Sequence, residues 1–252
     1  QQVPADDPLL LASRYFSGFL AASISEVEET LINRLHLTLQ HPLLAGSGGD
    51  TVQIVQWNEK KFLVDWCREQ GILFPETVVV GARDLKSERT KRSGVWIAKP
   101  NLSSGGAGAW VINDPRDVIL GRLDAFAQRP NVVSDVWLLQ KYYSRAKDWA
   151  IVGELTSVSG QVRLEPMRAV EVRYDRSRYS YAHWFSQKFS GDSLQEQELQ
   201  RVYAQVADLL RQKGYQGCFG FDAFLSESGE FFPIVDLNVR LTKTHLLQRA
   251  LS

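Results

Sequence analysis

The sequence predicts an α+β fold, and three observations carry that reading. Helical stripes opened by capping boxes are interleaved with short strand patterns. The second half is a run of strands joined by tight connections, as in an antiparallel sheet rather than a doubly wound parallel one. Near the C-terminus, GCFGFDAFLS and FFPIVDLNVR flank a Ser-Glu-Ser-Gly turn and read as a hairpin of two buried strands.

In chain order, Leu9–Ala22 is the most apolar segment. Arg14 interrupts it and it is too short to span a bilayer, so it predicts a buried helix. Ser25–Leu39 opens on the pair Ser25 and Glu28 and continues at helical spacing. His41–Asp50 reads as a loop, and Thr51–Trp57 alternates loosely like a strand. Asn58–Gly71 predicts a helix with Asn58 as N-cap, Phe62, Leu63 and Trp66 as apolar face, and Gly71 past its end. ILFPETVVVGA leads into a strand bounded by proline, and Ala82–Gly94 is a polar surface connection. WIAKP, a Ser/Gly loop and a returning strand form a hairpin. Asp114–Gln128 is a helix with Asp114 as N-cap and Pro115 at its first position. Asp135–Tyr143 is a strand ending in a linker, and WAIVGEL, QVRLEP and AVEVRY form a meander. Asp192–Gly214 is an amphipathic helix with Ser193 and Glu196 as its capping box. Its stripe is Leu199, Val202, Tyr203, Val206, Leu209 and Leu210.

The 252 residues are 44% apolar and 23% charged, enough for a sizeable core. Lys+Arg and Asp+Glu both number 29, so nothing in the overall charge points to nucleic acid or to an anionic membrane. Cys67 and Cys218 make neither a disulfide framework nor a zinc or redox motif, and fit reduced core thiols of a cytoplasmic protein. His36, His41 and His183 share no metal-ligand spacing. The chain begins with Gln, holds one Met and ends inside a helical pattern, as a segment of a longer protein would.

The chemistry concentrates in two places. VWIAKPNLSSGGAGAWVI sets Lys99 at the end of a strand, ahead of a loop rich in backbone N–H groups. The loop fails the P-loop pattern, because no Gly-Lys-Ser/Thr closes it. It fails the dinucleotide pattern as well, because Val111 stands in the third glycine position and a strand follows. What remains is a hairpin whose tip can fold over phosphates. In the C-terminal hairpin, Asp236, Asn238 and Arg240 are two apart and share a face. Pairing through the turn brings Asp222 to the same face, giving oxygen ligands for Mg²⁺ beside a guanidinium. Arg163, Arg168, Arg173, Arg176 and Arg178 in the meander form either an anion pocket for a substrate carboxylate or a solvated strand edge balanced by Glu165, Glu171 and Asp175.

In order and spacing, Lys61, Lys99-Pro100 with its loop, LLQKYY, and Asp222 followed by Asp236-x-Asn238-x-Arg240 resemble the ATP-grasp superfamily over roughly Gln53 to His245. The resemblance implies an ATP-grasp fold: two α+β subdomains, residues 58–140 and 141–252, that clamp ATP behind a short N-terminal region of helix and strand, residues 1–57. It implies ATP and one or two Mg²⁺ ions as cofactors. Lys61 and Lys99 match the lysines that hold phosphates, and Ser103, Ser104, Gly105, Gly106 and Gly108 the loop that covers them. Gln140, Lys141 and Tyr142 match the adenine-reading hinge, and Asp148 the acid on the ribose. Asp222, Asp236 and Asn238 match the metal ligands, and Arg240 the catalytic arginine. Asp236 and Gln140 each stand where Glu is usual, and Thr244 replaces the base of the biotin carboxylase relatives, which argues against bicarbonate chemistry.

The implied activity is a ligase that converts a carboxylate into an acyl phosphate for attack by an amine, both being small molecules or peptides. A homodimer is compatible with it; nucleic acid and membrane are not expected partners. Two other readings stay open: a nucleotide-binding regulatory or scaffold protein, and a phosphotransferase of the same fold.

Overall fold

The computed structural model describes residues 51–102, 109–113, 135–158, 161–175, 180–187, 193–240, 242 and 245. The expected helices at Leu9–Ala22, Ser25–Leu39 and Asp114–Gln128, and the loop His41–Asp50, lie outside them. Two antiparallel sheets dominate. The first is four-stranded in the order β1-β4-β2-β3, from β1 (Thr77–Gly81), β2 (Trp96–Pro100), β3 (Trp110–Ile112) and β4 (Val136–Lys141). The second is six-stranded in the order β10-β9-β5-β7-β8, with β6 beside β5. Its strands are β5 (Arg145–Val158), β6 (Gln161–Leu164), β7 (Arg168–Asp175), β8 (Ser180–Gln187), β9 (Gly217–Ser226) and β10 (Phe231–Asn238). The helices are α1 (Thr51–Trp57), α2 (Lys60–Glu69), α3 (Leu85–Thr90) and α4 (Leu194–Gln212).

Thr51–Trp57 forms a helix where the sequence reads as a strand. Ile54 and Trp57, one helical turn apart, are both buried in the large core, and that packing overrides the β-branched residues nearby. Asn58 is not the N-cap of α2. Its Nδ2 donates to the Ile54 carbonyl at 2.7 Å and closes α1. The first amides of α2 go instead to Asn101, just after Lys99-Pro100. Lys60 N–H donates to the Asn101 carbonyl at 3.0 Å, and Lys61 N–H to Asn101 Oδ1 at 2.8 Å. Ala82–Gly94 is more than a polar connection: it contains α3, whose Leu85 and Arg89 are buried. The Arg89 guanidinium donates to the carbonyls of Arg92 and Gly94 at 2.6 and 2.8 Å.

The strand and helix patterns of the second half match the expectation. Ser193 caps α4 by accepting the Glu196 N–H at 3.1 Å, and Leu199, Val202, Tyr203, Val206 and Leu210 are buried. They pack on one face of the six-stranded sheet, against Trp149, Ile151, Phe219, Phe221, Ile234 and Leu237. The same core takes in Trp57 of α1 and Leu63, Trp66 and Cys67 of α2. A separate small core, with Val80, Leu85, Trp96, Ala98, Ile112, Trp137 and Leu139, belongs to the four-stranded sheet.

Candidate functional site

The opposite face of the six-stranded sheet carries the polar groups. On β9 and β10, Asp222 and Asp236 are direct cross-strand partners, and Asn238 lies across from Gly220. Direct partners project from the same face, with Cβ atoms about 4.5–5.5 Å apart. Asp222, Asp236 and Asn238 are half-buried between buried neighbours, as strand alternation requires, and Arg240, just past β10, is half-buried as well. The pairing shifts between Phe232 and Asp236, where Pro233 has no N–H for the ladder. Asp148 belongs to the same face of β5, because it pairs with Phe224, two residues from Asp222.

Two carboxylates side by side repel unless cations neutralise them. Lys60 Nζ stands 3.6 Å from Asp236 Oδ1, with its side chain only 11% exposed. Lys61 is not brought to this group. Its side chain is 49% exposed and its Nζ pairs with Asp65 at 2.6 Å. Neighbouring helical residues point about 100° apart, so only one of the two lysines can face the sheet. The sequence held the signal: Lys60, Leu63, Val64 and Cys67 fall on one helical face, while Lys61 and Asp65 form an outer i,i+4 pair.

Lys99 reaches the same region from β2. Its Nζ donates to Gln140 Oε1 at 2.8 Å, and Gln140 Nε2 donates to Thr77 Oγ1 at 3.0 Å. Burial pushes the Lys99 ammonium down to about 7; Arg145 and Lys60 press the same way, and Asp236 and Asp222 oppose them. Lys60 and Lys99 thus act on the acid pair, and Arg145 acts on Lys99. Arg145 was not singled out by the sequence. It donates to Asp148 Oδ1 at 2.6 Å and its guanidinium lies 4.5 Å from the Phe224 ring centre. The buried Asp148 carboxyl is raised by burial, against the pull of Arg145.

Arg240 donates to Asn58 Oδ1, and the Val239 N–H reaches the same oxygen at 3.1 Å. Asn58, another residue the sequence did not mark for this site, therefore ties the start of α2 to the end of β10. Lys141 ends β4 and Tyr142 follows it, both exposed, with their N–H groups bonded to the Glu76 and Val95 carbonyls at 2.8 and 3.0 Å. Ser103, Ser104, Gly105, Gly106 and Gly108 lie outside the described residues. His245 is buried: Thr242 N–H donates to its Nδ1, so Nε2 carries the proton and donates to the Gly153 carbonyl at 3.1 Å. In the meander, Arg163 and Arg168 are exposed.

Among the described residues, no three His, Cys, Asp or Glu side chains converge as a metal site. Asp222 and Asp236 with the Asn238 amide oxygen make an all-oxygen set suited to a hard divalent cation.

The architecture is that of the ATP-grasp ligases. It is similar to carboxyaminoimidazole ribonucleotide synthase from Aspergillus clavatus, complexed with ATP, with a TM-score of 0.57 and 16% identity over 75% of this chain and 46% of that one. It is similar to phosphoribosylamine–glycine ligase from Thermotoga maritima (TM-score 0.57, 13% identity, 79% of this chain, 51% of that one). D-alanyl-alanine synthetase A from Vibrio cholerae gives a TM-score of 0.53 and 13% identity over 73% of this chain and 56% of that one. The chain spans about half the length of these solved structures. In sequence, a 43-residue stretch is 42% identical to the [butirosin acyl-carrier protein]–L-glutamate ligase of Niallia circulans, covering 17% of this chain and 10% of that protein. No protein-family model matches the chain. No described helix is long and apolar enough to cross a membrane.

Proposed function

We propose that this chain binds Mg-ATP across its two sheets and uses it to activate a carboxylate as an acyl phosphate, which an amine then attacks. The observation that carries the reading is the Asp222–Asp236 pair, set side by side on one face, with Lys60 paired to Asp236 and Lys99 within electrostatic reach of both. Magnesium, held by Asp222, Asp236 and Asn238, would neutralise the β,γ-phosphates. Lys99 and Lys60 hold the phosphate oxygens, Lys60 taking the place first expected of Lys61. Residues 103–108 would cover the phosphates and exclude water, and Gln140, Lys141 and Tyr142 would hold the adenine. Asp148, bonded to Arg145, would bind the ribose. Arg240, oriented by Asn58, stabilises charge on the transferring phosphoryl group. Catalysis of this kind is mostly positioning and charge stabilisation.

Thermal unfolding with Mg-ATP, with Mg²⁺ alone and with Lys99→Ala tests the binding step. A ligand at 100 times its Kd stabilises by about 2.7 kcal/mol, roughly 5–10 °C for a chain of this size. A Mg-dependent rise that the substitution lowers is the expected outcome. Hydroxylamine added with a panel of carboxylates should then give a hydroxamate together with ADP. ADP without hydroxamate would mark a phosphotransferase, and binding without ADP a regulatory protein.

A further inference from the structure

We propose that Thr77 is a positioning residue for Lys99, acting through Gln140: the Thr77 hydroxyl fixes which end of the Gln140 amide faces the lysine. This rests on the Mg-ATP reading for its purpose but not for its test. Thr77 on β1 is the direct cross-strand partner of Gln140 on β4, and Gln140 is in turn the partner of Ile97 on β2, two residues from Lys99. The three side chains therefore share one face, with Gln140 in the middle and only 5% exposed.

The polarity of the chain is determined from its far end. The Pro75 carbonyl can only accept, so the Thr77 hydroxyl donates to it, at 2.7 Å. Thr77 Oγ1 has no further proton to give and can only accept, which calls for Gln140 Nε2 at 3.0 Å. Gln140 Oε1 is thereby turned to Lys99 Nζ at 2.8 Å. A flipped amide would set two oxygens without a proton against each other, and N–H groups against the ammonium.

The consequence concerns the charge on Lys99. Burial, Arg145 of β5 and Lys60 of α2 all disfavour the ammonium, while Asp222 of β9 and Asp236 of β10 favour it. An amide oxygen fixed on Nζ sides with the ammonium, the form that holds phosphate. Remove the Thr77 oxygen, and the amide is free to turn and donate to a neutral amine. The lysine then loses its proton at lower pH.

Two readouts on Thr77→Val, Thr77→Ser and the parent protein test this. The first needs no nucleotide: the rate of Lys99 acylation by an amine-directed reagent, followed against pH by peptide mass spectrometry. Its midpoint should fall in Thr77→Val and return in Thr77→Ser. The second is Mg-ATP affinity at neutral pH. Thr77→Val should weaken it about tenfold, the scale of one hydrogen bond to a charged group. In a Lys99→Met background the same change should add nothing, because the two residues act as a unit. An unmoved Lys99 midpoint in folded Thr77→Val overturns the proposal, and so does an equal loss of affinity with Lys99 already removed. If the parent protein binds no Mg-ATP, the nucleotide reading fails and the labelling result still decides the role of Thr77. Thr77→Ala carries the same two readouts should the valine variant not fold.

Discussion

Lys99 shows how a residue suited to function can work against stability. In the unfolded chain it keeps its proton up to about 10.5, whereas in the folded protein burial lowers that value to about 7. Between these values the folded state binds fewer protons than the unfolded one, so this group makes stability rise with pH across that window. Below it the buried ammonium is a full cost. Lys99→Met should therefore raise the unfolding temperature at neutral pH, by about 2–4 °C for each kcal/mol relieved, while weakening the response to Mg-ATP. The gain should shrink as the pH rises toward 10.5. Thermal melts of both proteins across that range check it, and a lower melting temperature for the methionine variant at neutral pH would mean that the acid pair outweighs burial. The shared face of Asp222, Asp236 and Asn238 was legible in the sequence because strand alternation is a local rule. Lys60 against Lys61 needed the helix phase, set by which side of α2 meets the core. Asn58 and Thr77 could not be found locally, since their partners at the site are Arg240 and Gln140, up to 182 positions away, and Arg145 has a local partner in Asp148 but lies on the Phe224 ring only once β5 and β9 pair.

At the level of elements, the sequence was most readable where a segment carries its own punctuation. The α4 cap and stripe and the β9–β10 hairpin are local signals, and both lie where they were expected. Thr51–Trp57 was misread because seven residues are too few to separate periods of 2 and 3.6 when packing decides. A glycine inside β5 carries a constraint that only the packed elements display. A Cβ added at Gly153 would stand 2.3 Å from the Tyr203 hydroxyl oxygen of α4. That ring cannot simply swing away: it stacks on Phe219 with centroids 5.3 Å apart, and its hydroxyl donates to the Glu165 carbonyl at 2.6 Å. Gly153→Ala should cost about 1–3 kcal/mol, read as a lower midpoint in urea at unchanged slope. Pairing it with Tyr203→Phe should recover little, because two ring carbons of Tyr203 also stand 2.4 and 2.7 Å from that Cβ.

Over the whole molecule, the site joins two bodies of unequal strength. Lys99 and Gln140 come from the four-stranded sheet with its small core, and Asp222, Asp236 and Asn238 from the six-stranded sheet with its large one. Helix α2 precedes the first sheet in sequence but packs into the core of the second, and its Lys60 reaches Asp236. Asn58 at its start reaches Val239 and Arg240. Local free energies of opening follow the buried apolar contacts each unit makes. Native-state hydrogen exchange should therefore show β1, β2 and β4 opening together at a lower free energy than β5, β9, β10 and α4. The amides of α2 should exchange with the second group despite their place in the chain. A nucleotide that bridges Lys99 and the acid pair binds only when both sheets are intact, so Mg-ATP should raise protection most in the weaker sheet. If α2 instead exchanged with β1 and β4, Lys60 would open with the first sheet, and its ion pair to Asp236 would be too weak to hold the two bodies in register. Shared protection would mean that the acid pair and one of its cations are assembled before nucleotide arrives, leaving the Lys99 sheet as the part that closes.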